Sequence, residues 1–276
     1  HALSKALDER LEENEKKALS ERTFMYDGVL YPTMVCCPEI LKRIHTFRAR
    51  EDDIILVSYP KTGKHHSFAR NAFVSKQRLM EKLPSRRIIK THLNPQKLPK
   101  SVFEQKAKIL VLLRNPKDTA VSFFHFSKGI RLISDQETWD EYFEAFITGK
   151  VVYGSYFDYI VEWNKYLDDS NIFFITYEEI KENPASSLKK IAKFFDFSVT
   201  EEKIESIVKE THFETMKNNA GTFGKVGQIL FRKGIVGDWT SVFSESQNEK
   251  MDRKFEETVA KTKLGMKLKY EVYCKN

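Results

Sequence analysis

The chain has 276 residues, of which 41% are hydrophobic, so it can bury one sizeable core without needing several domains. Its 46 Lys and Arg residues and 39 Asp and Glu residues are interspersed and give a net charge of +7, which favours a small anionic ligand over nucleic acid. No apolar run reaches the length of a membrane span and no signal peptide is evident, so a soluble cytoplasmic protein without membrane contact is expected. The three cysteines lack the spacing of zinc ligands, and no metal is expected.

The first predicted elements are a helix and two strands. Residues 4–20 read as an amphipathic surface helix with Leu7, Leu11 and Ala18 on one face, inside a helical extension over residues 1–23. "DIILVSYP" (53–60) reads as a buried parallel strand. "RRIIKTHL" (86–93) reads as a second strand, on which Lys90 and His92 share a face because side chains two residues apart point the same way.

Two further stretches each predict a strand that leads into a helix. "AKILVLLRNPKDTAVSFFHF" (107–126) places Arg114 at a strand end, then Asn115 as the helix N-cap and Pro116 in the first turn. "NIFFITYEEIKENPASSLKKIAKFFDF" (171–197) opens its helix at Asn183 and Pro184. This alternation predicts one α/β domain over residues 1–276, with a central parallel sheet flanked by helices and a helical segment over 240–276. Ligands of such folds bind at the carboxyl ends of the strands.

Three stretches carry the chemistry of an anion site. "YPKTGK" (59–64) places a Lys, a hydroxyl and a Gly after a strand, but it is not a complete Walker A loop and by itself suits an ordinary turn. "RNPKDTAVS" (114–122) offers Arg114 and Ser122, although a surface Arg explains it equally well. "FRKGIVGDW" (231–239) holds two cations on a glycine-rich backbone, and a solvated loop would explain it as well.

Taken together, "YPKTG", "IIKTHL", "RNPKDTAVSFFHF", "TYEEIKENP" and "FRKGIVGDW" occur in the order and rough spacing of the cytosolic sulfotransferases. The chain resembles that family from about Phe24 to its end, and most closely its 6B-like members. The resemblance implies a P-loop-like fold in which 3′-phosphoadenosine 5′-phosphosulfate (PAPS) gives its sulfuryl group to a hydroxyl or amine of a small apolar acceptor. The nucleotide product would be adenosine 3′,5′-bisphosphate (PAP), without a metal.

The resemblance also implies residue roles. The 5′-phosphate end of the donor would contact Lys61, Thr62 and Gly63, the adenine would contact Tyr177 and Thr211, and the 3′-phosphate would contact Arg114, Ser122, Arg232, Lys233 and Gly234. The catalytic set would be His92 as the base with Lys90 and Lys61. Sulfuryl transfer independently requires one base and two cations as a minimum. A structural role for His92, as a core histidine bonded to a carbonyl, is the competing interpretation.

The sequence departs from the family after Gly63. Lys64, His65 and His66 stand where the family has two hydroxyl residues and a Trp that stacks on adenine. Without that stacking contact, the free energy of donor binding would be weaker by about 1–3 kcal/mol. The interval between Gly63 and Ile88 has 24 residues, too few for the usual helix and acceptor loop, so it reflects either a deletion or residues missing from the sequence. A metal pair at His65 and His66 has no further ligands nearby.

The sequence allows more than one oligomeric state and more than one function. Residues 240–249 keep only the final Glu of the family's dimerisation motif, which predicts a monomer or a weak homodimer. A catalytically impaired homologue that retains only the 3′-phosphate clamp is the competing function, and an ATP-dependent kinase is disfavoured because a Walker A loop and a Mg²⁺ site are missing. An apolar acceptor pocket or simple core packing would explain Phe123, Phe124, Phe126, Tyr153 and Phe157.

Overall fold

A computed structural model describes residues 2–62, 82–133 and 137–275. Its sheets are formed by six strands in this part of the chain: β1 (Thr23–Tyr26), β2 (Val29–Pro32), β3 (Ile54–Ser58), β4 (Ile88–Thr91), β5 (Lys108–Leu113) and β6 (Ile172–Thr176). The first two strands pair as an antiparallel hairpin. The other four form a parallel sheet in the order β4-β3-β5-β6, as the alternating pattern predicts.

Helices connect and cover these strands. Their bounds are α1 (Ala2–Lys16), α2 (Pro38–Arg43), α3 (Lys100–Glu104), α4 (Pro116–Gly129), α5 (Trp139–Ile147), α6 (Tyr156–Asn164), α7 (Tyr177–Glu182), α8 (Pro184–Phe194), α9 (Glu201–Glu210), α10 (Phe213–Asn218), α11 (Gly224–Leu230), α12 (Glu245–Thr258), α13 (Lys263–Lys267) and α14 (Tyr270–Cys274). Within the described ranges, no helix is both long and apolar enough to cross a membrane.

Both faces of the parallel sheet are buried, which explains why its strands are nearly continuous apolar runs. Alternate residues such as Ile55, Val57 and Val111 belong to the larger core, and Ile54 and Leu110 belong to a smaller cluster that includes Phe195. The strand order reverses beside β3, which lies between β4 and β5. Ligands bind at such a reversal point in open α/β sheets, outside the carboxyl ends of the strands.

The predicted helix starts after two strands are confirmed. The Asn115 side chain accepts a hydrogen bond from the Asp118 N–H with Pro116 in the first turn, and Asn183 accepts one from the Ser186 N–H in the same way. Such caps satisfy N–H groups that have no partner within the helix. The sequence did not reveal α7, which begins at Tyr177 directly after β6.

The amino-terminal helix is confirmed as a helix, but one expectation about its apolar face is wrong. Leu11 is buried, whereas Ala18 lies beyond the end of α1 and is exposed. The polar residue Asn14 is 1% exposed and donates from Nδ2 to the Ile130 carbonyl at 3.1 Å. A buried amide with a distant backbone partner cannot be predicted from helical periodicity. The boundaries at residues 23 and 240 remain predictions.

A buried ion pair fixes the starts of β3 and β4. Asp53 accepts two hydrogen bonds from the Arg87 guanidinium, from Nε at 2.7 Å and from Nη2 at 2.5 Å, and the two side chains are 0% and 1% exposed. The Ile54 N–H donates to the Arg87 carbonyl at 2.9 Å beside it. These contacts set the register of the two strands that end next to the candidate site.

We expect Asp53→Asn to lower the free energy of unfolding by about 3–5 kcal/mol, because it leaves the buried Arg87 charge without a counter-charge. Urea denaturation measures the loss. The control is Lys263→Gln, which removes a pair with Asp168 whose side chains are 60% and 83% exposed, and should change stability by less than about 1 kcal/mol. Equal effects of the two substitutions would contradict the role of the buried pair.

Candidate active site

Three strand ends carry the candidate residues. Lys61 follows β3, His92 follows β4 directly, and Arg114 follows β5 directly. Because these strands are parallel and adjacent, their carboxyl ends meet at one edge of the sheet. The sheet thus brings together Lys61 and Arg114, which are 53 positions apart in the chain, with His92 between them in the sequence.

The Arg114 guanidinium joins the cationic stretches. Nη1 donates to the Lys61 carbonyl at 3.3 Å, and Nη2 donates to the Ile235 carbonyl at 3.1 Å. The side chain is nearly buried, lies 4.5 Å from the Tyr177 ring centroid and is 3.5 Å from an Asp118 carboxylate oxygen. The turn after β3, the end of β5 and the segment 231–237 therefore meet at one guanidinium.

A buried polar network holds this arrangement at the start of α4. The Asp118 carboxylate accepts from the Gly237 N–H at 2.9 Å and from the Trp239 N–H at 3.1 Å. Glu178 Oε1 accepts from the Asn115 N–H at 3.0 Å and from its side-chain amide at 2.9 Å. The sequence suggested Asn115 and Asp118 only as helix-start signals and did not suggest Glu178. The hydrogen-bond partners of these three residues are far away in the sequence, so no local sequence pattern predicts them.

Two cations in segment 231–237 share one carboxylate. Arg232 and Lys233 both form ion pairs with Asp238, whose side chain is 3% exposed. Gly234 follows them with φ of 68°, and a Cβ at this position would lie 2.0 Å from Phe213 Cδ2. Only glycine suits that backbone.

Two buried nitrogens of this cationic group have no partner among the described residues. They are Nε of Arg114 and Nε of Arg232. Buried donors normally find an acceptor, and guanidinium groups pair well with phosphate oxygens. The residues present therefore fit a ligand that carries several phosphate oxygens.

Lys61 is the fourth cation of the site, after Arg114, Arg232 and Lys233. Its backbone is left-handed, with φ of 69°, and its Nζ lies 3.4 Å from the Leu230 carbonyl oxygen and 4.5 Å from the Phe126 ring centroid. Burial, followed by the charges of Arg114 and Arg232, lowers the pKa of Lys61 to about 7. A bound anion would favour its charged form again.

The neighbouring loop residues have different surroundings. Thr62 is 1% exposed, and its hydroxyl faces the carbonyls of Tyr59 at 2.9 Å and Leu112 at 3.1 Å. In this structure the Thr62 hydroxyl closes the turn. Gly63 and the expected departure at Lys64, His65 and His66 lie outside the described residues.

The His92 ring has a defined tautomer. Its Nδ1 lies 2.8 Å from the Ser58 carbonyl oxygen, and because a carbonyl only accepts, Nδ1 carries the proton and Nε2 keeps its lone pair. Burial and the Lys61 charge lower the pKa of His92 to about 4, although the Ser58 hydrogen bond raises it. The bond to a carbonyl, which is also expected of a core histidine, orients the free Nε2.

The remaining candidates differ in their burial and contacts. Lys90 is paired in register with Leu56 on β3 and is half-buried, as is His92, whereas Thr91 between them is buried. Ser122 is half-buried on α4. Tyr177 is 6% exposed under the Arg114 guanidinium, and the exposed Thr211 hydroxyl donates to the Ile207 carbonyl at 2.7 Å.

Core packing, one of the two interpretations of the aromatic residues, accounts for part of the group. Phe123 and Phe157 are 2% and 0% exposed and belong to the large core, so core packing accounts for them. Phe126 beside Lys61 and Tyr153 beside His92 do lie at the site, with a ring-centroid distance of 5.2 Å between His92 and Tyr153. In the part of the chain described, no group of three or more His, Cys, Asp or Glu residues could hold a metal ion.

Comparison with known proteins gives a consistent result. The family described as Sulfotransferase domain matches residues 66–263. Sulfotransferase 6B1 of Homo sapiens is 46% identical over 97% of this chain and 96% of that protein, and sulfotransferase 6B1 of Mus musculus is 45% identical over the same shares. The crystal structure of mouse sulfotransferase SULT7A1 complexed with PAP is 36% identical, with a TM-score of 0.84 over 92% of this chain and 99% of that one.

The alignment with the human relative spans 291 residues, which exceeds the 276 residues of this chain. The relative therefore has residues without a counterpart here.

We expect the His92 imidazole to titrate near pH 4 and to carry its neutral-state proton on Nδ1. Nitrogen-15 NMR of the histidine side chains measures both properties. In the control variant Lys61→Met the midpoint should rise, because a neighbouring positive charge that disfavours the imidazolium has been removed. A midpoint at the ordinary value near 6.5 would contradict the effect of partial burial and of the Lys61 charge described above.

Proposed function

We propose that this chain moves a sulfuryl group from PAPS to a hydroxyl or amine of a small apolar acceptor. The chain belongs to the sulfotransferase family and is a sulfotransferase. The observation that carries the proposal is the Arg114 guanidinium, which gathers Lys61 and the 231–237 segment at the carboxyl edge of the sheet. A dense group of cations there suits a donor with several phosphate and sulfate oxygens.

The 3′-phosphate is assigned to the clamp formed by Arg114, Ser122, Arg232, Lys233 and Gly234. The partnerless Nε atoms of both arginines and the glycine backbone at position 234 support this assignment. Asp238 already neutralises part of the clamp, so a phosphate has to compete with a carboxylate or share its cations. Such a clamp favours a doubly charged phosphate over weaker anions.

The 5′ end of the donor is assigned to Lys61, Thr62 and Gly63, and the adenine to Tyr177 and Thr211. Lys61 has the strained backbone and lowered pKa of a functional cation, which supports its assignment. The Tyr177 ring contacts the Arg114 guanidinium, so nucleobase and phosphate contacts would be adjacent. Thr62 would contribute through the turn that its hydroxyl closes.

The catalytic roles are assigned to His92, Lys90 and Lys61. His92 is neutral with a free Nε2, so it can accept the proton that the acceptor hydroxyl loses. When bound, PAPS supplies the sulfuryl group and a phosphate leaving group. Lys61 and Lys90 stabilise the negative charge that develops during transfer.

The oriented His92 favours this enzyme over an impaired homologue that only binds nucleotide. A binding protein would need the cationic clamp but would have no use for a neutral imidazole held in one tautomer beside Lys61. We further propose a cytoplasmic location and a monomer or weak homodimer, in keeping with the weak match to the family's dimerisation motif.

We expect PAP to bind at least about tenfold more tightly than adenosine 5′-monophosphate, because each charge-assisted hydrogen bond to the extra phosphate contributes about 1.5–3 kcal/mol. Isothermal titration calorimetry compares the two ligands. Arg232→Gln should abolish most of this preference, whereas Arg253→Gln, at an exposed position on α12, should preserve it. Equal affinities of the unaltered protein for both nucleotides would contradict the assigned clamp.

We expect His92→Ala to lower kcat by about 10²–10⁴-fold, because general-base catalysis typically contributes that factor. PAP affinity should stay within about twofold of the unaltered protein, since a base acts in the transition state. Steady-state transfer of ³⁵S from labelled PAPS measures kcat, with His45→Ala at an exposed position as the control. A variant with most of its activity would show that another group takes the proton.

A further inference from the structure

Tyr59 connects the turn that carries Lys61 to a distant part of the chain. It follows Ser58 at the end of β3, and its ring is 0% exposed. The ring packs edge-on against four aromatic rings, those of Phe123, Phe146, Tyr156 and Tyr159. Its position is therefore fixed by the core of the protein.

The backbone carbonyl and the phenol hydroxyl of Tyr59 both form hydrogen bonds. The backbone carbonyl accepts from the Thr62 N–H at 3.2 Å and from the Thr62 hydroxyl at 2.9 Å, which closes the turn around Lys61. The phenol hydroxyl donates to the Gly154 carbonyl at 2.7 Å. One rigid side chain thus joins this turn to residues 153–154.

The segment 153–154 has an unusual backbone. Tyr153 has φ of 67° and Gly154 has φ of 78°, and a non-glycine residue adopts the left-handed region only when its surroundings hold it there. The Tyr153 N–H donates to the Leu30 carbonyl at 2.8 Å, and the Tyr59 hydroxyl binds the next residue along. This backbone directs the Tyr153 ring edge-on against His92, with 5.2 Å between ring centroids.

We propose that Tyr59 is a positioning residue that holds the Tyr153 ring against His92 through the Gly154 carbonyl. Tyr59 thereby couples the turn that carries Lys61 to the Tyr153 ring that packs against His92. The role given to His92 rests on the proposed function, but the coupling itself rests on hydrogen bonds and ring contacts. A shift of Tyr153 would alter both the surroundings of Nε2 and the surface that meets an acceptor.

The matched pair of variants is Tyr59→Phe and Tyr159→Phe. Each removes one phenol oxygen from the same buried aromatic cluster, but the Tyr159 hydroxyl interacts with the Trp163 side chain, whereas the Tyr59 hydroxyl binds the Gly154 carbonyl. We expect Tyr59→Phe to lower kcat about tenfold with PAP affinity within about twofold, and Tyr159→Phe to leave both nearly unchanged. Equal kcat values for the two variants would overturn the proposal.

A double-mutant cycle with Tyr153→Leu tests the coupling. Tyr153→Leu removes the ring next to His92, so adding Tyr59→Phe should reduce kcat no further. Independent, multiplying losses would show that Tyr59 acts by another route. Thermal unfolding of each variant identifies any that fails to fold. If a variant that contains Tyr153→Leu fails, the His92 resonances of Tyr59→Phe decide, because that measurement needs only the single conservative substitution.

An NMR readout separates this proposal from the proposed function. The His92 side-chain resonances should shift in Tyr59→Phe and stay in place in Tyr159→Phe, because only the first lets the Tyr153 ring move. This comparison requires no turnover. If the unaltered protein failed to transfer sulfuryl groups but the shift occurred, the proposed function would fail and the positioning role would stand. Unshifted resonances in Tyr59→Phe would overturn the positioning role.

Discussion

The Arg114 guanidinium is the contact on which the rest of the site depends. It lies at the end of β5, next to the point where the strand order reverses, and binds the carbonyls of Lys61 and Ile235. Both acceptors are backbone groups, so Arg114 positions main chain as well as supplying charge. The Tyr177 ring and the Asp118 carboxylate restrict the guanidinium from two other directions. Because these partners come from four separate parts of the sequence, the site forms only when the whole sheet edge has formed.

Placing several cations close together costs free energy because like charges repel. Nearby carboxylates offset this repulsion for some of the cations but not for all of them. Arg232 and Lys233 share the buried Asp238, and Arg114 has Asp118 nearby, whereas the described contacts of Lys61 are a carbonyl and an aromatic ring. The lowered pKa of Lys61, about 7, expresses this imbalance. Between about pH 7 and its ordinary value of 10.5, the unfolded chain binds a proton that the folded chain lacks, so this group's contribution to stability decreases as pH falls through that window. A bound polyanion, as proposed, would supply the missing counter-charge.

Much of the fold can be predicted from the sequence, because local chemistry determines it. The β-branched runs give the strands, and Asn115-Pro116 and Asn183-Pro184 give the helix starts. The cationic stretches are also visible as patterns. Their convergence is not, because it depends on side chains such as Glu178 and Asp238, whose partners are fixed by tertiary packing. The phenol of Tyr59 likewise reaches a carbonyl 95 positions away, which no local pattern encodes.

His92 and Lys61, the proposed base and one of the proposed cations, are linked through β3. Its last residue, Ser58, offers the carbonyl that fixes the His92 tautomer, and the turn that follows presents Lys61. The relation between His92 and Lys61 is therefore set by the register of β3 with β4, which Asp53 and Arg87 fix at the opposite ends of these strands. Since a parallel pair can shift only by breaking a whole ladder of hydrogen bonds, the buried ion pair and the ladder together hold His92 in place relative to Lys61. The relative position of His92 and Lys61 is thus set by the sheet, while the glycine-containing loop after Phe231 would contribute the contacts proposed for the 3′-phosphate.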